Sequence, residues 1–201
     1  DIPRESVNEF LTDINEEIDR LTRITERLLQ LTKLDYVSSN RMQPCDLNGL
    51  VKKITDLLKE NAAHAQVELE NQLAEDLWVL FDRDGLYQVV FNLVENALKQ
   101  NTEPELSITV AAAKTQDACV ITVTDTGVGI PAESIPFLFN RFYRVETHHS
   151  SEIKGTGLGL SIVKRAVEAH DGAITVSSIP HRETVFTITI PLKRFREEKA
   201  A

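Results

Sequence analysis

The sequence predicts an α/β fold of the α+β sandwich type, a mixed sheet carrying one helical layer, preceded by a long amphipathic helix. Two patterns carry this expectation. Apolar residues recur at intervals of three and four near the start of the chain and in three later stretches, the spacing of helices that bury one face. Between those stretches lie alternating and β-branched runs that do not alternate with helices in strict βαβ order, which points to helices on one face of a mixed sheet. With 201 residues and 42% hydrophobic side chains, the chain can bury one full core plus an appendage.

Over residues 7–34, Val7, Phe10, Leu11, Ile14, Ile18, Leu21, Ile24, Leu28 and Leu31 form one apolar stripe, with Glu16, Asp19, Arg23 and Arg27 on the other face. Such a helix cannot cover its own stripe and calls for a bundle. Residues 35–46 lose the periodicity and contain Ser38, Ser39, Asn40 and Pro44, so they read as a linker. Leu47, Leu50, Val51, Ile54, Leu57 and Leu58 mark a second helix, where the compact domain begins. Strands are expected at 67–73 and 78–81, a helix from Asp84 to about Lys99, a strand pair at 106–113 and 118–124, a helix over 158–170, and strands near 173–178 and 185–190.

The formal net charge of -9 argues against a nucleic-acid surface, which needs a local excess of Lys and Arg. Cys45 and Cys119 lie outside any CxxC spacing and beside apolar neighbours, so they are expected to be reduced and buried, as suits a cytoplasmic protein. No run approaches the roughly 18 apolar residues of a membrane span. The chain opens at Asp1 without a Met, which suggests a processed or excised fragment and leaves room for a membrane anchor upstream in the parent protein.

Three polar runs can do chemistry. Asn92, Asn96 and Lys99 are spaced four and three apart and share one helix face. An Asn oxygen can ligate Mg²⁺ and Lys can neutralise phosphate, although an ordinary solvated stripe has the same pattern. Asp125 ends a strand before the turn Thr126-Gly127-Val128-Gly129, where its carboxylate can accept from a base or cap its own turn. Gly155-Thr156-Gly157-Leu158-Gly159-Leu160 opens a helix, so its amides would face an anion; the alternative is a flexible hinge. It is not a Walker A loop, because no Gly-Lys-Ser or Gly-Lys-Thr follows. The Gly127-x-Gly129-x-x-Ala132 spacing also satisfies the dinucleotide fingerprint, but Pro131 and Pro136 interrupt the long helix that motif requires. Residues 145–154, with His148 and His149, read as a mobile lid without a placed third metal ligand.

In this order the runs resemble the nucleotide-binding boxes of sensor histidine kinases. Asn92 to Lys99 matches the N box, Asp125 to Pro131 the first glycine box, Phe139-Asn140-Arg141-Phe142-Tyr143-Arg144 the F box and Gly155 to Leu160 the second glycine box. The resemblance covers the chain from about Phe10 to Pro191 and implies the Bergerat ATP-binding fold. It implies residues 1–36 as the second helix of the dimerisation hairpin, 37–46 as linker, 47–193 as the ATP-binding catalytic domain and 194–201 as a polar tail. It implies ATP and Mg²⁺ as cofactors, with Asn96 on the metal, Asn92 supporting the phosphate region, Lys99 and Arg144 on phosphates, Asp125 on adenine and Tyr143 flanking the pocket. Gly127, Gly129, Ile130, Lys154 and Thr184 complete the implied ATP-binding set. Phe139 and Phe142 would fasten the lid, with core packing as the alternative for both.

The implied reaction transfers the γ-phosphate of ATP to a histidine, for onward signalling to a response regulator receiver domain. Homodimerisation through the N-terminal helix is implied for the parent protein. The acceptor of this family lies on the helix before the one at 7–34, and no histidine precedes His64, so the acceptor is expected outside this chain. Gln100 and Asn101 replace the Tyr-Thr or Tyr-Ser that often follows the N-box Lys, and Glu183 stands where a Gly commonly precedes Thr184. Competing readings are a nucleotide-blind module that docks a helix or a regulator, and another ATPase or serine kinase of the same fold group.

Overall fold

A computed structural model describes residues 42–64, 67–73, 77–100, 106–145 and 156–192, together with the helical positions Phe10, Leu11, Ile14, Ile18, Thr22 and Thr25. The helix expected at 7–34 otherwise lies outside the described residues, as do most of the lid and the C-terminal tail. At the described positions the apolar side chains Phe10, Leu11, Ile14 and Ile18 are exposed.

Met42–Asp46 form a strand, β1, where the sequence reads as the end of a linker. Its five residues include Pro44, which an edge strand tolerates, and its conformation comes from antiparallel pairing with β3, Trp78–Asp82. The two make a separate ribbon whose strands end in aspartates. Asp46 accepts the Gly49 amide at 3.1 Å and so caps α1, Leu47–His64; Asp82 accepts the Gly85 amide at 2.8 Å and caps α2, Arg83–Gln100. The second helix therefore starts at Arg83, one turn of polar residues including Asp84 lying within it.

The main sheet has five strands: β2 (Val67–Leu73), β4 (Leu106–Lys114), β5 (Ala118–Asp125), β6 (Ala173–Ile179) and β7 (Glu183–Pro191), in the order β2-β4-β5-β7-β6. β2 and β4 are parallel and the other neighbours antiparallel, giving the mixed sheet expected. The inner rows Cys119, Ile121, Val123 of β5 and Phe186, Ile188, Ile190 of β7 pack against Leu86, Val90, Leu93, Val94 and Ala97 of α2. The last helix, α3 (Gly159–Glu168), adds Val163, Ala166 and Val167, and α1 adds Leu47, Val51, Ile54 and Leu58. Each fully buried aliphatic side chain contributes roughly 1.5–3 kcal/mol, so this interior is what holds the three helix faces at the sheet.

Both cysteines are buried and unbridged, as expected. Burial pushes the Cys119 thiol up to about 11, against a smaller opposing influence of Lys114, which keeps it protonated and unreactive. His170, just after α3, is also buried. Its ring stacks on Phe81 at 3.6 Å, Nδ1 lies 2.7 Å from the Ala166 carbonyl, and Nε2 accepts the Asp82 amide at 3.1 Å. These partners select the neutral ring with its proton on Nδ1, and they tie the end of α3 to the start of α2.

Candidate functional site

The inner face of the sheet turns polar in its last row. Asp125 closes the inward series of β5 and stands in register with Thr184, the first inward residue of β7; Thr184 is in turn in register with Ser178 of β6. Asp125 and Thr184 are buried. Burial raises the Asp125 carboxyl above the usual carboxylate range, opposed by the Gly127 amide, which donates to Oδ1 at 3.1 Å. That turn bond uses one carboxylate oxygen, so capping its own turn and accepting from a ligand are compatible roles for Asp125.

The loop after β5 is pinned to the β6–β7 turn. Ile130 donates its amide to Ser178 Oγ at 2.8 Å, and His181 donates to the Val128 carbonyl at 2.9 Å. Gly129 has φ of 70°, and a Cβ there would come within 2.7 Å of the Ile179 carbonyl and of Pro180, so both the conformation and the space require glycine. Past this loop only a short turn, Ile135–Phe137, is helical up to residue 145, as the rejection of the dinucleotide fingerprint requires. Glu183 lies within β7, and the left-handed residue of the turn is His181, with φ of 58°. The missing glycine before Thr184 therefore removes no needed freedom; the tight conformation falls two residues earlier.

In the helical layer, α2 and the start of α3 converge. Asn92 is buried and donates through Nδ2 to the Gln88 carbonyl at 2.8 Å. A Cβ on Gly159 would lie 3.4 Å from Asn92 Oδ1 and 3.6 Å from Asn96 Nδ2, so both amides reach the first residue of α3. Leu158 precedes that helix with no side-chain cap, leaving the helix start to a ligand or solvent. Leu93, Val94, Ala97 and Leu98 bury the opposite face. Lys99, by contrast, is held by Glu95 at 2.7 Å one turn back.

Gly157 has φ of 68° and its carbonyl accepts the Phe142 amide at 2.9 Å, joining the F-box segment to the second glycine box. Phe139 is partly buried against the core, but Phe142 is 58% exposed, so core packing accounts for the first and not the second. Tyr143 packs its ring 5.7 Å from that of Phe137, Arg144 is exposed, and Thr156 is half-buried. Leu158 is buried with Ile162, while Leu160 and Ile130 pack on the core. Lys154, Gly155, His148 and His149 lie outside the described residues. Ser178 is the site residue that sequence reasoning misses. Its signal is in the alternation of β6, where the inward row Ile174, Val176 continues to a serine while Ile179 points out.

A mixed sheet with a buried carboxylate in its last polar row, under a helical layer in which Asn92 and Asn96 of α2 meet the start of α3, is the Bergerat class of ATPase sandwich. Residues 81–194 match the family of histidine kinase-, DNA gyrase B-, and HSP90-like ATPases, and the chain belongs to that family. Within it the chain is similar to the sensor histidine kinase WalK of Bacillus subtilis (strain 168), 34% identical over 194 residues. That similarity covers 94% of this chain and 31% of the relative's length. The catalytic domain of histidine kinase ThkA superposes with a TM-score of 0.65 at 28% identity, covering 75% of this chain and 97% of that one. ThkA in complex with the response regulator protein TrrA gives a TM-score of 0.71 at 25% identity, covering 95% of this chain and 52% of that one. The chain thus spans about a third of the curated relative it matches and has the fold of a sensor histidine kinase catalytic domain.

Proposed function

We propose that this chain binds Mg-ATP and serves as the donor half of a histidine autokinase, passing the γ-phosphoryl group to an imidazole nitrogen of an acceptor helix outside this sequence. The observation that carries the reading is the approach of the Asn92 and Asn96 amides to Gly159 at the uncapped start of α3. Metal, phosphates and helix amides would meet there, which suits a reaction driven by positioning and charge neutralisation.

Asn96 fits Mg²⁺ through its hard amide oxygen. Among the described residues no three His, Cys, Asp or Glu side chains cluster as a metal cage, so an ion at Asn96 would complete its shell with phosphate oxygens and water, the habit of Mg²⁺. When bound, Mg²⁺ would neutralise phosphate charge. Asn92 would orient the phosphates, Arg144 would supply positive charge, as would Lys99 on leaving its exposed pair with Glu95, and the amides of Thr156 to Leu160 would cradle the anion. Gly155 and Lys154 would extend that cradle. Asp125, Gly127, Gly129, Ile130 and Thr184 would receive adenine, with Tyr143 at the rim.

The N-terminal helix would be the second helix of a dimerisation hairpin, consistent with the exposed Phe10, Leu11, Ile14 and Ile18. A response regulator receiver domain would be the downstream partner, as the ThkA complex with TrrA supports by analogy. Among the described residues no helix is long and apolar enough to cross a membrane; a cytoplasmic domain of an anchored sensor is the proposed setting. Titrating a fluorescent ATP analogue with Mg²⁺ tests the site. Asn96→Ala should weaken binding by about tenfold or more, the scale of one lost metal ligand or charged hydrogen bond; undiminished binding would overturn the metal assignment. Failure of the wild type to bind any adenine nucleotide would favour the second reading, that the exposed helix stripe docks a partner helix or a regulator.

A further inference from the structure

The helices α2 and α3 meet at two places. At one, His170 stands just past α3: its Nε2 accepts the Asp82 amide at 3.1 Å where α2 begins, its Nδ1–H donates to the Ala166 carbonyl at 2.7 Å, and its ring stacks on Phe81. At the other, the first residue of α3, Gly159, faces the Asn92 and Asn96 amides of α2. The two helices are therefore antiparallel neighbours. At a rise of roughly 1.5 Å per residue, Gly159 and His170 stand about 16 Å apart along α3, and Asp82 and Asn92 about 15 Å apart along α2. The spans match, so the axial position of α3 that satisfies His170 is also the one that sets Gly159 beside the asparagines.

Between the two places the helices bring aliphatic side chains to the shared core, Val163, Ala166 and Val167 on α3 and Val89, Val90 and Leu93 on α2. Such contact is non-directional, whereas a hydrogen bond weakens steeply off line. The bonds of His170 thus mark one axial position of α3 in a way that aliphatic packing does not. We infer that His170 is a positioning residue for the phosphate end of the nucleotide: acting through α3, it sets the amides at the start of that helix against Asn92 and Asn96 without touching the ligand. The inference rests on the nucleotide reading above and adds what holds the phosphate cradle in place. A displacement of about 1 Å is enough to matter, because bonds from helix amides to phosphate oxygens are as directional as those His170 makes.

The test is calorimetric titration of the full chain with Mg²⁺ and a non-hydrolysable ATP analogue, arranged as double-mutant cycles. His170→Phe keeps the ring stacked on Phe81 and removes both hydrogen bonds, and should weaken binding by about 3- to 10-fold in a chain that still melts cooperatively. In a Gly159→Ala background the same change should cost less than about twofold, because the cradle it acts through is already filled. In an Asp125→Asn background it should cost its full amount, since the base end of the site lies on the sheet. His170→Gln, which carries an N–H donor and a carbonyl acceptor on one carbon, should fold and show a smaller loss, coupled to Gly159 in the same way. Unchanged affinity in His170→Phe, a loss that is additive with Gly159→Ala, or a loss coupled equally to Asp125→Asn would overturn the inference and leave His170 with a structural role. So would a Gln variant as weak as the Phe one. A wild type that binds no adenine nucleotide would overturn the nucleotide reading itself, a result distinguishable from all of these.

Discussion

The Phe142 amide donates to the Gly157 carbonyl at 2.9 Å, and both residues have left-handed backbone, φ of 64° and 68°. The bond joins the F box to the second glycine box. A methyl on Gly157 would stand 2.7 Å from the Phe142 carbonyl carbon and 2.8 Å from its Cα, backbone that cannot swing aside. Gly157→Ala should therefore open this junction, with a strain of about 1–3 kcal/mol and a loss of nucleotide affinity. Calorimetric titration with Mg-ATP analogue measures it; wild-type affinity would show that the junction does not shape the site.

At Gly159 the same change should act differently. The added methyl makes ordinary contacts at 3.4 Å with Asn92 and 3.6 Å with Asn96, and φ is not left-handed. Folding should tolerate Gly159→Ala within about 0.5 kcal/mol in a thermal melt. Nucleotide affinity should fall roughly tenfold, because the methyl fills the space where the two amides face the helix start. A variant that loses stability and affinity together would place Gly159 in packing rather than in the site.

Asp125 ties stability to pH in a direction its burial sets. Its carboxyl is raised above its ordinary range by burial, so folding penalises the charged form relative to the unfolded chain. The stability this contributes is fully present below the unfolded pKa and is lost as pH rises through the folded one. Asp125→Asn removes the buried charge and keeps an acceptor for the Gly127 amide. The variant should melt above wild type at neutral pH, with the gap closing on acidification, and it should lose adenine affinity. A gap that widens towards acid would contradict the burial account.

His170 should matter to stability well beyond its own helix. His170→Ala removes a ring stacked on Phe81 and leaves the Asp82 amide without its acceptor at the cap of α2. Cavity and lost hydrogen bond together should cost about 2–4 kcal/mol in denaturant unfolding. A cost below about 1 kcal/mol would mean that the α2–α3 link is redundant.

Much of this is legible in the order of the amino acids. The apolar spacing of Leu93, Val94, Ala97 and Leu98 identified the buried side of α2, and with it the polar side that carries Asn92 and Asn96. The Asp-Thr-Gly turn after β5 announced itself through glycine and a strand-ending carboxylate. Other features had no local signal. Met42–Asp46 looks like a linker because Pro44 and the polar flanks oppose strand propensity, and only pairing with β3 overrides them. Lys99 shares the asparagine face in sequence, yet Glu95 one turn back holds it at 2.7 Å, a choice between partners that spacing cannot make. Phe139 and Phe142 carry the same side chain three residues apart; a left-handed φ turns the second outward.

The amino-acid order by itself determined the helices, most strands, the boxes and their sequence along the chain, because hydrophobic period, helix caps and glycine turns act over a few residues. Tertiary structure decided the row Asp125, Thr184, Ser178 and the meeting of Asn92, Asn96 and Gly159, since these join residues up to about 70 positions apart. Their relation is set by strand register and helix packing, where shifting a strand by a single residue would turn its member of the row to the other face.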